Sequence, residues 1–583
     1  MRTEPTTNDY IEDEKDASQT LRERVRANPS PALLWVAGAT VLILLEFGRI
    51  LGGLLEILDA VIFVGGGIAG LPLWVGSNVT GTLGLWPGTI AMGATALAMT
   101  YAVMTILAAF GVRIRISDRI GTGQTRKVKH RIDRLAGAIL LGAVAGVVFM
   151  TPVGAVIRFE FNSGLALADS FASWLPTITD REVIPNQGHR TPDGGWEGTF
   201  LGLSPAIAWV IRVIIVFAYA TAILVWTWKG YDIFREHYRE ADWTPRDDTI
   251  RRFRSNYWGL FGFVVVFMFV ITAAWAPAIS PVPAEANIFE PYGHEIEYLD
   301  DDTGEVATTT HGTANLNSQS DGQNTVGPNS YDEYDRYAPL GTTDRGQDMV
   351  THLAYGARTS LIIGVTAIGL AGLIAVFLSL LTAYYKGIID IATVMASDTI
   401  ISIPALLLVM MLSIIFTQAD HFLAEPLDGG FLLALIFAFV YWPGLWRSIR
   451  GPSLQVAEQE WVDAAKSYGQ TPLNTMRKHM APYIAGYIMI YASLLLGGVI
   501  IFTAALTFLG LGINPPTPEW GRLIDSGQDY IPTSSWHVAT IPGLAIVLVV
   551  TALNALGDGI RDAIDPQADV GDDASSAAAG GGG

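Results

Sequence analysis

Cysteine is absent from this chain of 583 residues. Disulfides, thiolate chemistry and cysteine metal sites are therefore excluded. Lysine is scarce, at seven of the 36 basic residues. No glycine is directly followed by lysine, so there is no phosphate-binding P-loop and no route by it to ATP hydrolysis. The nine histidines are scattered without metal-ligand spacing, and no metal site is expected. His294-Glu295-Ile296-Glu297-Tyr298 approaches a zinc-protease motif but has tyrosine where the second histidine must stand, so no catalytic residue is assigned. Net charge is −19, the reverse of the basic surface that nucleic-acid binding needs. Met1 to Ser30 is polar, ends in Arg22, Arg24 and Arg26, and lacks a signal-peptide pattern.

What the chain has in abundance is apolar sequence. Half of its residues are hydrophobic and the mean hydropathy is +0.37. Several runs approach or exceed the ~20 apolar residues that span a bilayer as a helix. The runs are continuous rather than alternating, which selects helices over a closed barrel. The expected fold is an all-α polytopic membrane protein of about ten transmembrane helices. The polar remainder is rich in aspartate and glutamate and poor in lysine, with a pI of about 4.9. Such surfaces look like those of extreme halophiles, where a Debye length of about 3 Å in molar salt screens self-repulsion. A mesophile with two acidic loops is the alternative.

Apolar runs cover Pro31–Phe47, Leu83–Phe110, Leu135–Ile157 and Phe200–Trp228, while Arg49–Val75 could span, re-enter or lie at the interface. The loop Arg113–Arg134 carries eight basic residues and is expected in the cytosol. Residues 1–30 are read as a cytosolic segment and 31–250 as an amino-terminal membrane extension of about four helices. The extension's expected role is structural or insertion-promoting, with regulatory docking as the alternative. Lys229–Arg254 reads as a linker. A second module, 251–566, shows spans at about Trp258–Ala276, Leu361–Thr382, Ile389–Phe416, Phe431–Trp446, Tyr483–Leu509 and Val538–Leu556. Between the first two lies a long acidic loop, Pro281 to about Asp335, whose low hydrophobicity suggests partial disorder. Its carboxylates Asp300–Glu305 could attract a cation, although a solvated loop is the expectation. Residues 567–583 read as a flexible tail. Parity of crossings places both termini in the cytosol and the acidic loop outside.

Within the second module a polar segment, 458–482, interrupts the apolar sequence. Ala464 and Ala465 keep one helix face slim, Gly469 suits a left-handed cap, and Thr471-Pro472 reads as an N-cap with first-turn proline. Glu460, Asp463, Ala464, Ala465, Gly469 and Pro482 resemble the coupling loop of permeases in ATP-binding-cassette importers, with Asp463 for the usual glutamate. An ordinary inter-helix loop is the alternative.

Around it, further strings stand in order. Gly341-Thr342 leads to Gly346, Asp348, Gly356, Arg358 and Ser360. Asp398 through Pro404 follows. Then come Gly510, Gly512, Pro516, Trp520-Gly521, Asn554, Gly557-Asp558 and Arg561, with Asp565-Pro566. From about Arg252 to Pro566 the chain resembles the C-type membrane subunit of dipeptide, oligopeptide and nickel importers. Thr343 and Gln347 depart from the family's usual acidic residue and arginine. Asp398 is the best candidate for a polar pathway or packing residue, with a helix-end cap as the alternative.

The resemblance implies a plasma-membrane permease, not an enzyme, that couples ATPase closure to alternating access for peptides or related solutes. It implies a B-type permease partner, two cytosolic ATP-binding subunits, an extracellular solute-binding lipoprotein and the lipid bilayer. No cofactor is expected on this chain, with ATP used by the partners. A secondary transporter or a membrane scaffold not driven by ATP is the alternative. It calls for paired intramembrane carboxylates or broken helices in matching halves, and neither is evident.

Overall fold

The computed structural model describes residues 20–109, 163–168, 170–172, 174–175, 177–241, 243–418 and 422–564. Helices dominate, and the only sheets among the described residues are three two-stranded antiparallel hairpins. Among the described residues seven helices are long and apolar enough to cross a membrane, or up to nine if each of two bent pairs counts as one span. The expected span Leu135–Ile157, the basic loop Arg113–Arg134, Asp565-Pro566 and the tail lie outside the described residues.

Contacts divide the chain into two units, Met1–Val41 with Thr179–Gly583, and Leu42–Ile178. The second unit is described through an antiparallel pair, Phe47–Leu83 and Leu85–Ala109, joined at Gly84. The stretch 49–75, left open by sequence, therefore belongs to one helix of 37 residues, whose Phe47–Gly67 part is apolar enough to span.

The first unit does not respect the expected boundary near residue 250. Helix Pro205–His237 packs with the segments that follow it. Arg212 on this helix is fully buried, and its guanidinium donates to the carbonyls of Ile184, Ala278 and Ser280 at 2.7–3.0 Å. Arg181 adds bonds to Pro277, Ser280 and Pro281. Burial holds the Arg181 guanidinium down to about 10. These two side chains satisfy carbonyls at the end of the short helix Ala276–Ile279, which sequence had placed in the other module. Helix Ser30–Leu45 joins the same unit through Trp35 and Trp226. Each indole N–H donates to the other residue's carbonyl at 3.0 Å.

The remaining helices form the bundle. Met349–Tyr385 packs against Gly430–Ala457 and Ala481–Phe508, and His537–Ile564 packs against Tyr257–Ala274 and Ala481–Phe508. Ile363, Phe437, Val499 and Leu506 lie in one buried cluster, and Leu445, Trp446, Val462 and Met480 in a second. Met349–Tyr385 has 37 residues, about 55 Å of helix. It therefore holds the polar insert 281–348 and the polar segment 458–482 at opposite ends.

The insert is ordered, contrary to the disorder that composition suggested. Strands Glu295–Leu299 and Val306–Thr310 pair, and so do Ser330–Tyr331 and Tyr337–Ala338. Arg336 bonds Asp332, Asn315 and Ser318, and the Asp332 side chain is buried. Arg190, from the hairpin His189–Arg190 with Trp196–Glu197, pairs with Asp335 at 2.5 Å and Asp301 at 3.1 Å. Trp196 stacks on Tyr331. Low hydrophobicity misled because buried ion pairs and aromatic rings, rather than aliphatic side chains, hold this segment together.

Candidate coupling segment

The helix Glu460–Ser467 begins at Gln459 in extended conformation and is anchored by one side chain. Val462 is fully buried in the cluster with Trp446, Met476 and Met480. Three residues on, Ala465 is buried on the same face, while Ala464 is exposed beside Asp463 and Glu460. The two alanines therefore do different work. Ala465 lets the helix sit close to the bundle, and Ala464 thins the outer face.

The helix ends as its sequence suggests. Gly469 has φ 74°, its N–H donates to the Lys466 carbonyl at 3.0 Å, and Gln470 N–H reaches back to Ala465 at 3.1 Å. This is the two-bond left-handed cap that glycine makes without a Cβ penalty. Thr471 is extended and Pro472 opens the next helix. That helix is not short. Pro472–Phe508 runs as one span-length helix through a wider turn at Met476–Met480, with Pro482 inside it. The segment is thus one short helix rigidly capped onto the start of a membrane helix. Trp461 strengthens the corner by stacking on Tyr483, 5.4 Å between centroids.

Two ion pairs brace the neighbouring helices. Asp390 and Asp398 of Gly387–Ile401 pair with Arg450 and Arg447 of Gly430–Ala457. Asp398 is exposed and paired, so its observed role is to tie two helices together. Pro404 stands in the break where Gly387–Ile401 and Ala405–Phe416 bend by 84°. Sequence reasoning missed the exposed apolar residues of the segment. Tyr468 is 90% exposed and Leu473 47% exposed, on a frame that holds them still. Their signal was apolar residues standing outside any helical periodicity in a polar stretch.

The other motif positions gather mainly at the opposite end. Asp348 caps Met349–Tyr385, its own N–H donates to Asn287, and burial pushes its carboxyl up to about 7. Thr342 is buried and donates to the Ser318 carbonyl. Gly341, Gly346, Gly510 and Gly512 all have positive φ. Trp520 donates to the Leu353 carbonyl at 3.0 Å and lies over Gly356, where a Cβ would come within 2.6 Å of the indole. A Cβ on Gly521 would stand 2.0 Å from the Ala504 carbonyl oxygen. Glu519 accepts from Thr507 and from Gly521 N–H, and burial pushes its carboxyl up. Ser360 is buried on the same long helix as Arg358. Asn554, Gly557, Asp558 and Arg561 line up along His537–Ile564, where Gly557 meets Ser493. Pro516 lies in the turn before Trp520.

The fold is a bundle of helices long and apolar enough to cross a membrane, with a stiff, partly apolar helix held at one end. Residues 375–570 match the family model "Binding-protein-dependent transport system inner membrane component", and residues 244–293 match "N-terminal TM domain of oligopeptide transport permease C". The glutathione transport system permease protein GsiD of Shigella dysenteriae serotype 1 (strain Sd197) is 30% identical over 324 residues, 56% of this chain and 91% of that protein. Its counterpart from Escherichia coli O1:K1 / APEC is 29% identical over the same length. The chain belongs to this family, as a permease of the ATP-binding-cassette peptide importers. Its members are transport subunits rather than enzymes.

Proposed function

We propose that this chain carries di- or oligopeptides or related solutes, glutathione-like peptides among them, through the plasma membrane. Glu460–Ser467 seats in a cytosolic ATP-binding subunit. The observation that carries this reading is the rigid cap at Gly469 joined to a span-length helix. A push on Glu460–Tyr468 passes directly into Pro472–Phe508, because no flexible linker intervenes. Rigid-body motion of this kind is a known route to alternating access. A B-type permease, two ATP-binding subunits and an external solute-binding lipoprotein complete the assembly that the family implies. ATP is used by the partner subunits.

In this orientation the segment 458–482, Arg113–Arg134 and both termini face the cytosol, and the insert 281–348 faces outward. Excess arginine beside the segment, at Arg447, Arg450 and Arg477, supports it. The test combines crosslinking and labelling. A photocrosslinker at Lys466 is expected to trap an ATP-binding subunit. A membrane-impermeant thiol reagent is expected to label a cysteine placed at Asp302 and not one placed at Ser467. Label at Ser467 in sealed cells, with no crosslink at Lys466, would remove the reading.

A further inference from the structure

A cavity of about 550 Å³ lies between the 186–198 loop and the outer insert, and the coupling machinery makes no use of it. Its walls include Asn186, His189 and Glu197 from the loop, and Glu297, His311 and Arg336 from the insert. Family-model matching begins at residue 244, so one wall of this cavity, from Asn186 to Gly198, is built by sequence that precedes it.

The charges on its walls are unevenly satisfied. Arg336 is already engaged by Asp332, Asn315 and Ser318, and Arg190 by Asp335 and Asp301. Glu197 and Glu297 have neither arginine nor lysine among their ion-pair partners at the described residues. Each faces the buried His189 ring, at 3.9 Å and 3.5 Å. Deeper in, Asn186 is 4% exposed and its Oδ1 has no hydrogen-bond partner. A buried acceptor left without a donor is costly, and such groups call for an explanation. His311 supplies the opposite polarity. Arg336 Nη1 lies 3.5 Å from its Nδ1, and a guanidinium only donates, so the ring proton sits on Nε2. Burial, then the nearby Arg336 charge, holds this imidazole down to about 3, and it stays a neutral donor.

We propose that this cavity binds a small solute carrying a free ammonium group, of the class of a peptide amino terminus. An ammonium has three donors and no acceptor, Asn186 Oδ1 is a buried acceptor without a donor, and Glu197 and Glu297 add carboxylates that face only the His189 ring among the ion-pair partners at the described residues. The neutral His311 N–H suits the carbonyl that follows a peptide's amino terminus. The volume falls in the range of pockets that enclose small ligands. A metal ion fits less well, because no group of three or more histidine or acidic side chains suited to a metal occurs among the described residues. The peptide class rests on the transport reading above, whereas the ammonium chemistry rests on the cavity alone.

The test uses the full chain, purified without partner subunits, and isothermal titration with trialanine, N-acetyl-trialanine and calcium chloride. Trialanine is expected to bind, and acetylation of its amino terminus to weaken binding about tenfold or more, the effect of losing a charge-assisted hydrogen bond. Asn186→Leu and Glu297→Gln are each expected to weaken trialanine by a similar factor with the thermal midpoint unchanged. Glu297 is on an exposed rim, so its variant guards against misfolding of the other. Equal binding of the acetylated peptide, no binding of trialanine, or wild-type affinity in both variants overturns the proposal. So does calcium binding that both variants abolish while trialanine is ignored. Peptide uptake by the assembled transporter is scored separately. Uptake without this binding sinks only the cavity, and binding without ATP-driven uptake sinks only the transport reading.

Discussion

The candidate coupling segment 458–482 and the insert 281–348 are both polar excursions from one helical bundle, and they are finished in opposite ways. The insert buries part of its charge. The side chains of Asp332 and Asp335 are buried and each is held by an arginine. The coupling segment turns its charges outward, with Glu460, Asp463 and Lys466 at the surface, and buries little beyond Val462, Ala465 and the methionines after them. It also leaves Tyr468 and Leu473 in the open. A segment whose buried carboxylates are paired within the chain needs no second protein to cover them. One that holds exposed apolar side chains on a capped, immobile frame has the form expected of a surface that another protein covers.

If that contrast is right, substitutions at the two ends separate stability from transport. The largest effect belongs to the inward-turned end. Arg336→Leu leaves Asp332 buried without its partner, at a cost of about 3–5 kcal/mol. Limited proteolysis is expected to cut the insert of this variant and spare that of the wild type. Arg212→Leu is expected to cost about 3 kcal/mol, since three charge-assisted bonds to carbonyls disappear. The thermal midpoint of the purified protein measures it. For the same reason, deletion of residues 1–245 is expected to destabilise the bundle and not merely trim it. A truncated protein that melts with the full chain would show that helix Pro205–His237 is dispensable.

At the outward-turned end the sign of the result changes. Gly469→Val forces a branched side chain into left-handed backbone, at about 1–2 kcal/mol. Insertion and expression are expected to survive while ATP-driven uptake is lost. Normal uptake by this variant would break the comparison.

Asp348 offers a pH-dependent test. Its carboxyl is raised by burial from an ordinary 3.8 to about 7. The folded state therefore holds this proton where the unfolded chain has released it. The associated stability is complete below about pH 4 and declines as pH rises towards 7. Asp348→Asn keeps an N-cap and is expected to flatten that decline, read as the melting difference between pH 4.5 and 7.5. The smallest effect is at the surface pair Lys386–Glu458, 3.0 Å apart with both side chains more than half exposed. Lys386→Ala is expected to change stability by about 0–1 kcal/mol.

Much of this was legible in the sequence because it depends on local chemistry. Long apolar runs must be helices in a bilayer, and Gly469 followed by Thr471-Pro472 spells a stop and a restart within six residues. The family strings were legible as order and spacing, although not their purpose. Gly356 and Trp520 stand far apart in the chain, and only the fold brings the indole over the glycine. Pairings of Asp390 and Asp398 with Arg450 and Arg447 were equally hidden, since each carboxylate could have served as a cap or as a pathway group.

By itself, then, the sequence determined the helical class, the polar segment with its glycine cap, and the family resemblance, because composition, periodicity and turn chemistry act over a few residues. Tertiary structure alone decided that the acidic insert folds, that Arg181 and Arg212 bind an earlier loop and helix into the bundle, and that a polar cavity opens between segments about 100 residues apart. Those outcomes depend on which distant donors meet which acceptors. That is fixed by packing, which no local pattern encodes.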